Sequence, residues 1–176
     1  ASTLSHEERS IWGLVIDSLK CDIDERLAMV DDYLPAVNSW AVCDTFCCNA
    51  RWARRPSASD KVWLYICRLL KSGEEFTRRV GIVLMMCCFL TPDTIARSFE
   101  ALKGMHLRDG EPYYVRMSVA WLLATALAKD EMGTREFVSS AECGIPSDIL
   151  RLYVRKARES FRTNKVEPFL PGKRVK

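Results

Sequence analysis

Trp40 and Asp44 stand four residues apart in Asn38-Ser39-Trp40-Ala41-Val42-Cys43-Asp44, a spacing that sets an indole and a carboxylate on one helix face. The combination is unusual, because aspartate competes with the backbone for hydrogen bonds and is a poor residue inside a helix. Two chemistries fit it. The carboxylate can face a positive charge that develops in a reaction, or it can pair with a neighbouring arginine while Trp40 fills core. Arg79 heads the most apolar stretch, Arg78-Arg79-Val80-Gly81-Ile82-Val83. A guanidinium there either snorkels to solvent or clamps an anion on the inner face. Trp121, in Tyr113-Tyr114-Val115-Arg116-Met117-Ser118-Val119-Ala120-Trp121, has the spacing of a core aromatic and equally of a wall against a ligand.

The other reactive side chains point away from nucleophilic and metal chemistry. Of the eight cysteines, Cys43, Cys47, Cys48, Cys67, Cys87 and Cys88 lie in apolar stretches, where a free thiol behaves as a small hydrophobe. No C-x-x-C pair occurs, and only His6 and His106 offer imidazole, so no metal site is expected. Reduced thiols in a cytoplasmic protein are the expectation. The longest apolar run, Val80 to Leu90, is about half the roughly 20 residues that a membrane span needs. The polar, acidic opening is unlike a signal peptide.

Charge is uneven along the chain. Residues 1–50 carry three basic and nine acidic groups, whereas 51–176 carry 23 basic and 14 acidic ones, nine of the basic ones in the last 26 residues. A positive field concentrated in this way favours a polyanion, or else it is a solvated basic tail.

Helices must position all of these residues, since the periodicity is helical throughout. Ser5-x-x-Glu8 is a capping box for a first helix, and Asp24 starts a second that Pro35 stops. Ser39 caps a third, Trp40 to Cys48, followed by a loop from Asn49 to Ala58 with Arg51, Arg54 and Arg55. Ser59 caps the next, and a helix from Glu74 to Leu90 is apolar enough after Arg79 to be buried on most sides. Thr91-Pro92 opens a helix to Lys103, Pro112 opens Tyr113 to Lys129, Gly133-Thr134 starts a short one, and Pro146-Ser147 starts the last, to Phe161. Beyond it the tail, 163–176, is basic and reads as extended.

Glu75-Phe76-Thr77-Arg78 aligns with Tyr113-Tyr114-Val115-Arg116, and Val83-Leu84-Met85 with Trp121-Leu122-Leu123, both at an offset of 38 residues. A long helix, a shorter helix and a loop at this period describe an all-α fold of HEAT-like stacked helix pairs forming a curved superhelix. An irregular helical bundle is the alternative. One domain over 1–162, followed by the tail, is the expected organisation.

Asp32-Tyr33-Leu34-Pro35, Asn38-x-Trp40-x-x-x-Asp44, Arg79-Val80-Gly81-Ile82 and Tyr113-Tyr114-Val115-x-Met117-x-x-Ala120-Trp121 together resemble the AlkD-like DNA alkylation repair proteins. Lys156-Ala157-x-Glu159-Ser160-Phe161-Arg162 is similar to that family's closing segment, and the likeness is collinear from about Glu7 to Arg162. It implies a HEAT-like superhelix whose concave face holds duplex DNA, and glycosylase excision of N3- and N7-alkylated purines without metal or cofactor. It further implies that Asp44 is the catalytic carboxylate, that Trp40 and Trp121 flank the deoxyribose of the lesion, and that Arg79 lies near its backbone. A damaged base swung into a pocket, the general glycosylase pattern, is not implied. Members of the family begin with further helices, so a chain that opens on a helix cap reads as a fragment or a short branch.

Those roles are physically sound. An N3- or N7-alkylated purine is cationic and leaves readily, while the sugar acquires oxocarbenium character. A carboxylate about 4 Å away stabilises that charge by roughly 4 kcal/mol at an effective dielectric of about 20. That is about three decades in rate. Indole faces favour the same positive charge. Arg51, Arg54 and Arg55 leave the helix that carries Asp44 and are placed to grip phosphates, and Arg116, Arg155, Lys156, Arg162 and Lys165 would extend the track. A monomer on duplex DNA with alkylated purines is expected. The alternative is an inactive HEAT-like module that binds DNA or a protein, with Trp40 and Asp44 structural.

Overall fold

A computed structural model of the protein describes residues 4–173, and among these every regular element is a helix. The chain divides into two compact units, Ala1–Cys88 and Phe89–Lys176. No helix among the described residues is long and apolar enough to cross a membrane.

The first unit holds α1 (His6–Ser18), α2 (Ile23–Tyr33), α3 (Trp40–Asn49), α4 (Ser59–Leu69) and α5 (Glu75–Cys88). Ser5 and Glu8 form the expected capping box, and Ser39 caps α3 by accepting from the Val42 amide. Asp22, not Asp24, starts α2: its backbone is extended and its carboxylate accepts from the Glu25 amide at 2.9 Å, which draws the helix start forward. Residues 51–58 are not an open loop. They wind into two short 3-10 turns, Arg51–Arg54 and Pro56–Ala58, and Ser59 is already helical.

The core of this unit surrounds α5, whose residues Val80 to Met86 are all buried, as the apolar run required. Each such aliphatic side chain contributes about 1.5–3 kcal/mol. Gly81 sets how closely α5 meets α4: a Cβ there would lie 3.0 Å from the Leu69 Cβ. On the other side α5 packs on α3, and α3 packs on α1. Trp12, Tyr33, Phe46 and Trp52 form a chain of ring contacts through the α1 end of the core.

The second unit holds α6 (Ile95–Lys103), α7 (Tyr113–Lys129), α8 (Glu131–Ser139) and α9 (Ser147–Glu159), with α7 packed on both α8 and α9. The Thr91-Pro92 start is displaced. Thr91 and Thr94 join through their hydroxyls, Thr94 also bonds the Phe89 carbonyl, and the helix proper begins only at Ile95. Asp130 rather than Gly133 starts α8, accepting from the Gly133 amide at 3.0 Å. A Cβ at Gly133 would collide with that carboxylate. After α9 the chain turns back instead of extending. Tyr153 donates to the Pro168 carbonyl, Arg135 to that of Phe169, and Ser139 accepts from the Leu170 amide. The last residues of the expected tail, 174–176, lie outside the described residues.

Contacts between residues 32 to 37 apart occur within both units. Asp17 meets Trp52 and Asp44 meets Arg79, each 35 residues on; Asp24 meets Lys61 and Asp31 meets Arg68, each 37 residues on. In the second unit Arg116 meets Asp148, 32 residues on. Within the first unit α1 packs on α3, α2 reaches α4 and α3 reaches α5, and within the second α7 reaches α9. The contacts advance together along both members of a pair, 44 to 79 and 48 to 87, 24 to 61 and 31 to 68, so α3 runs parallel with α5 and α2 with α4.

Candidate active site

Trp40, Asp44 and Cys48 succeed one another at intervals of four along α3 and share its outer face. Trp40 does not fill core; it is 57% exposed at the first position of the helix. Asp44 does pair with an arginine, and the arginine is Arg79. The Arg79 Nε and Nη2 lie 3.1 and 2.9 Å from Oδ1, and Nη2 lies 2.8 Å from Oδ2. The Arg79 side chain is 6% exposed and that of Asp44 17%, so the guanidinium is enclosed while the carboxylate retains an opening to solvent. Of the two fates open to Arg79, the anion clamp is the observed one, and the anion is the protein's own.

The local sequence explains the geometry. The Ser39 cap fixes where α3 begins and so which residues share a face with Trp40. Gly81 and the aliphatic residues after Arg79 press α5 into the core, which leaves its head end beside α3. Burial alone would weaken the Arg79 charge, but the hydrogen bonds and negative charge of Asp44 outweigh it and hold the guanidinium above its ordinary pKa. Oδ1 accepts twice and Oδ2 once, so Oδ2 keeps the spare acceptor capacity for a water or an electrophilic carbon.

Trp121 belongs to the second unit. It is half-buried on α7, on a half-exposed stripe with Tyr114, Met117 and Thr125 at helical spacing. Tyr113, next to Tyr114 in an edge contact at 5.2 Å, is exposed.

The expected phosphate ligands separate into two groups. Arg51 and Arg54 sit exposed on the 3-10 turn that follows α3, Arg55 is exposed just after it, and Arg162 and Lys165 are exposed beyond α9. Arg116 is engaged by Asp148 at 3.1 Å. Arg155 and Lys156 both turn to Glu159, at 3.5 and 2.9 Å.

Two features escaped the sequence reading. Asp17, at the end of α1, accepts from the Trp52 indole at 2.7 Å, and burial pushes its carboxyl up to about 6 against the Trp52 hydrogen bond and the charge of Arg26. Cys48, expected inside the core, is exposed, with its sulfur 3.8 Å from that of Cys87. The interval of four from Asp44 to Cys48 was a visible signal, but the apolar neighbours of Cys48 masked it.

A family model described as DNA alkylation repair enzyme matches residues 2–161. No curated protein and no solved structure matches the chain.

Proposed function

The chain belongs to the DNA alkylation repair enzyme family, and on that footing we propose that it is a DNA glycosylase that releases N3- and N7-alkylated purines from duplex DNA. The observation that carries this reading is the Asp44 carboxylate, partly open to solvent, held at both oxygens by Arg79 and set one turn from the exposed Trp40. The recurrence of contacts at 32–39 residues supports a HEAT-like stack, a scaffold suited to an extended double helix.

In this mechanism the lesion base leaves as its own cation is neutralised, and Asp44 faces the oxocarbenium through Oδ2. Trp40 packs on the sugar. Arg79 has a positioning role with an electrostatic cost. A guanidinium about 8 Å from the sugar opposes the carboxylate by roughly 2 kcal/mol, against about 4 kcal/mol of attraction from Asp44 at about 4 Å. The pair together therefore stabilises the transition state by about 2 kcal/mol, or about one and a half decades. What Arg79 supplies in return is a fixed orientation, and groups held ready in a preorganised site need no rearrangement as the charge appears.

The test is release of 7-methylguanine from duplex DNA by the protein and by its Asp44→Asn variant. Release by the native protein that falls by two to three decades in a folded variant supports the proposal. No release, or release that is indifferent to Asp44, transfers the chain to a binding role within its family.

A further inference from the structure

We propose that Cys48 and Cys87 form a reversible disulfide between α3 and α5 when the protein meets a hydroperoxide. The two sulfurs lie 3.8 Å apart although the residues are 39 apart in sequence. They approach each other across two parallel helices. Cys48 is exposed at the end of α3 and meets the oxidant, while Cys87 waits half-buried behind it.

The other thiols do not form such a pair. Cys43 and Cys47 lie 4.0 Å apart, but on one helix and sealed in the core. Cys143 is buried, and Cys88 is the neighbour of Cys87 on the same helix. The surroundings of Cys48 also favour its thiolate. The hydrogen bond from Cys87 lowers its pKa most, burial and Asp44 oppose, and Arg54 and Arg79 assist, leaving it at about 7. Cys87 is shifted the other way by that same hydrogen bond, by burial and by the Cys48 charge, and keeps its proton. The two thiols are thus differentiated, one to attack and one to resolve.

In the first step the Cys48 thiolate attacks the terminal oxygen of the hydroperoxide. The S–O bond forms, the O–O bond breaks, and an alcohol, or water from hydrogen peroxide, leaves with a proton. In the second the Cys87 sulfur attacks the Cys48 sulfenic acid. The S–S bond forms, the S–O bond breaks, and the departing hydroxide takes the Cys87 proton as water. One peroxide is reduced and two thiols are oxidised. The bond would tie α3 to α5 four residues beyond Asp44 and eight beyond Arg79, and its formation does not depend on the repair reading.

The experiment exposes the reduced full chain to hydrogen peroxide, blocks remaining thiols with iodoacetamide and maps the products by mass spectrometry. The expected result is loss of two of the eight thiols, a peptide that links Cys48 to Cys87, and full reversal by dithiothreitol. Cys48 should react roughly tenfold faster than free cysteine, following its larger thiolate fraction near neutral pH. Cys88→Ser should keep the link, and Cys87→Ser should leave Cys48 as a sulfenic acid that dimedone traps. Linkage of Cys48 to Cys88 or to a second molecule overturns the proposal. So does a Cys48 sulfinic acid beside a reduced Cys87, or a Cys48 that reacts no faster than free cysteine.

Discussion

Arg79 reaches back 35 residues to hold both oxygens of Asp44, with Nη2 2.9 Å from Oδ1 and 2.8 Å from Oδ2. The contact joins the head of α5 to the middle of α3, and its two charges act on a nearby cation with opposite signs. Removing one is therefore unlike removing both.

For catalysis, Asp44→Asn deletes the attraction and leaves the Arg79 charge facing the developing oxocarbenium. Single-turnover release of 7-methylguanine should fall by about three decades. Replacing both residues, Asp44→Asn with Arg79→Met, removes attraction and repulsion together and should cost only about one and a half decades. The double variant is then roughly 30-fold faster than the single one. A double variant slower than Asp44→Asn would show that orientation outweighs charge in this pair.

For stability, the same cycle reads differently. Asp44→Asn removes the carboxylate that holds the enclosed guanidinium of Arg79, and removing one partner of a buried pair in this way costs about 3–5 kcal/mol. The double variant, with an apolar residue in place of the arginine, should recover most of that loss. Urea unfolding of the four proteins measures both terms, and a single variant as stable as the native chain would contradict the enclosure of Arg79.

For DNA binding, the five exposed cations Arg51, Arg54, Arg55, Arg162 and Lys165 give an expected slope of about −4 to −5 in log K against log salt. Changing Arg51, Arg54 and Arg55 together to Gln should bring it to about −2, with equal loss on every sequence. Arg116→Gln should scarcely move the slope, because that side chain is already committed to Asp148. A salt-independent association would remove phosphate contact as its basis.

The pH dependence of folding should carry the mark of Asp17. Its folded pKa, about 6, lies above the ordinary aspartate value of 3.8, because burial disfavours its charged form. The native state thus binds more protons than the unfolded chain between about pH 4 and pH 6, and stability falls as pH rises through that window. Above it the penalty is complete; below pH 4 it vanishes. Asp17→Asn should stabilise the protein at pH 7 by about 1 kcal/mol after allowance for solvent screening, and have no effect at pH 4. Equal effects at both values would place the cause elsewhere.

The sequence made the helices legible because their signals are local. The Ser5–Glu8 box, the Ser39 cap and the apolar run after Arg79 each act within a few residues, and each appears where the pattern put it. The starts of α2, α6 and α8 moved because several polar residues competed for one cap, and only geometry decides between Asp22 and Asp24 or between Thr91 and Thr94. At the site, the shared face of Trp40 and Asp44 was readable from spacing. The clamp was not, because Asp44 and Arg79 are brought together by the packing of α5 against α3, and that depends on the whole core. Cys48 was hidden for a related reason: an apolar neighbourhood in sequence is not one in space.

The return of the chain after α9 has a practical consequence. The family match closes at residue 161, yet Tyr153, Arg135 and Ser139 each hold backbone between Pro168 and Leu170, and Phe169 is buried edge-on against Tyr153. A fragment trimmed at the end of the recognisable motif would lose the strap that closes its last helix pair and would expose an aromatic seam. Amide protons of α8 and α9 should then exchange faster in the trimmed protein, so the boundary of evolutionary likeness falls short of the boundary of cooperative folding.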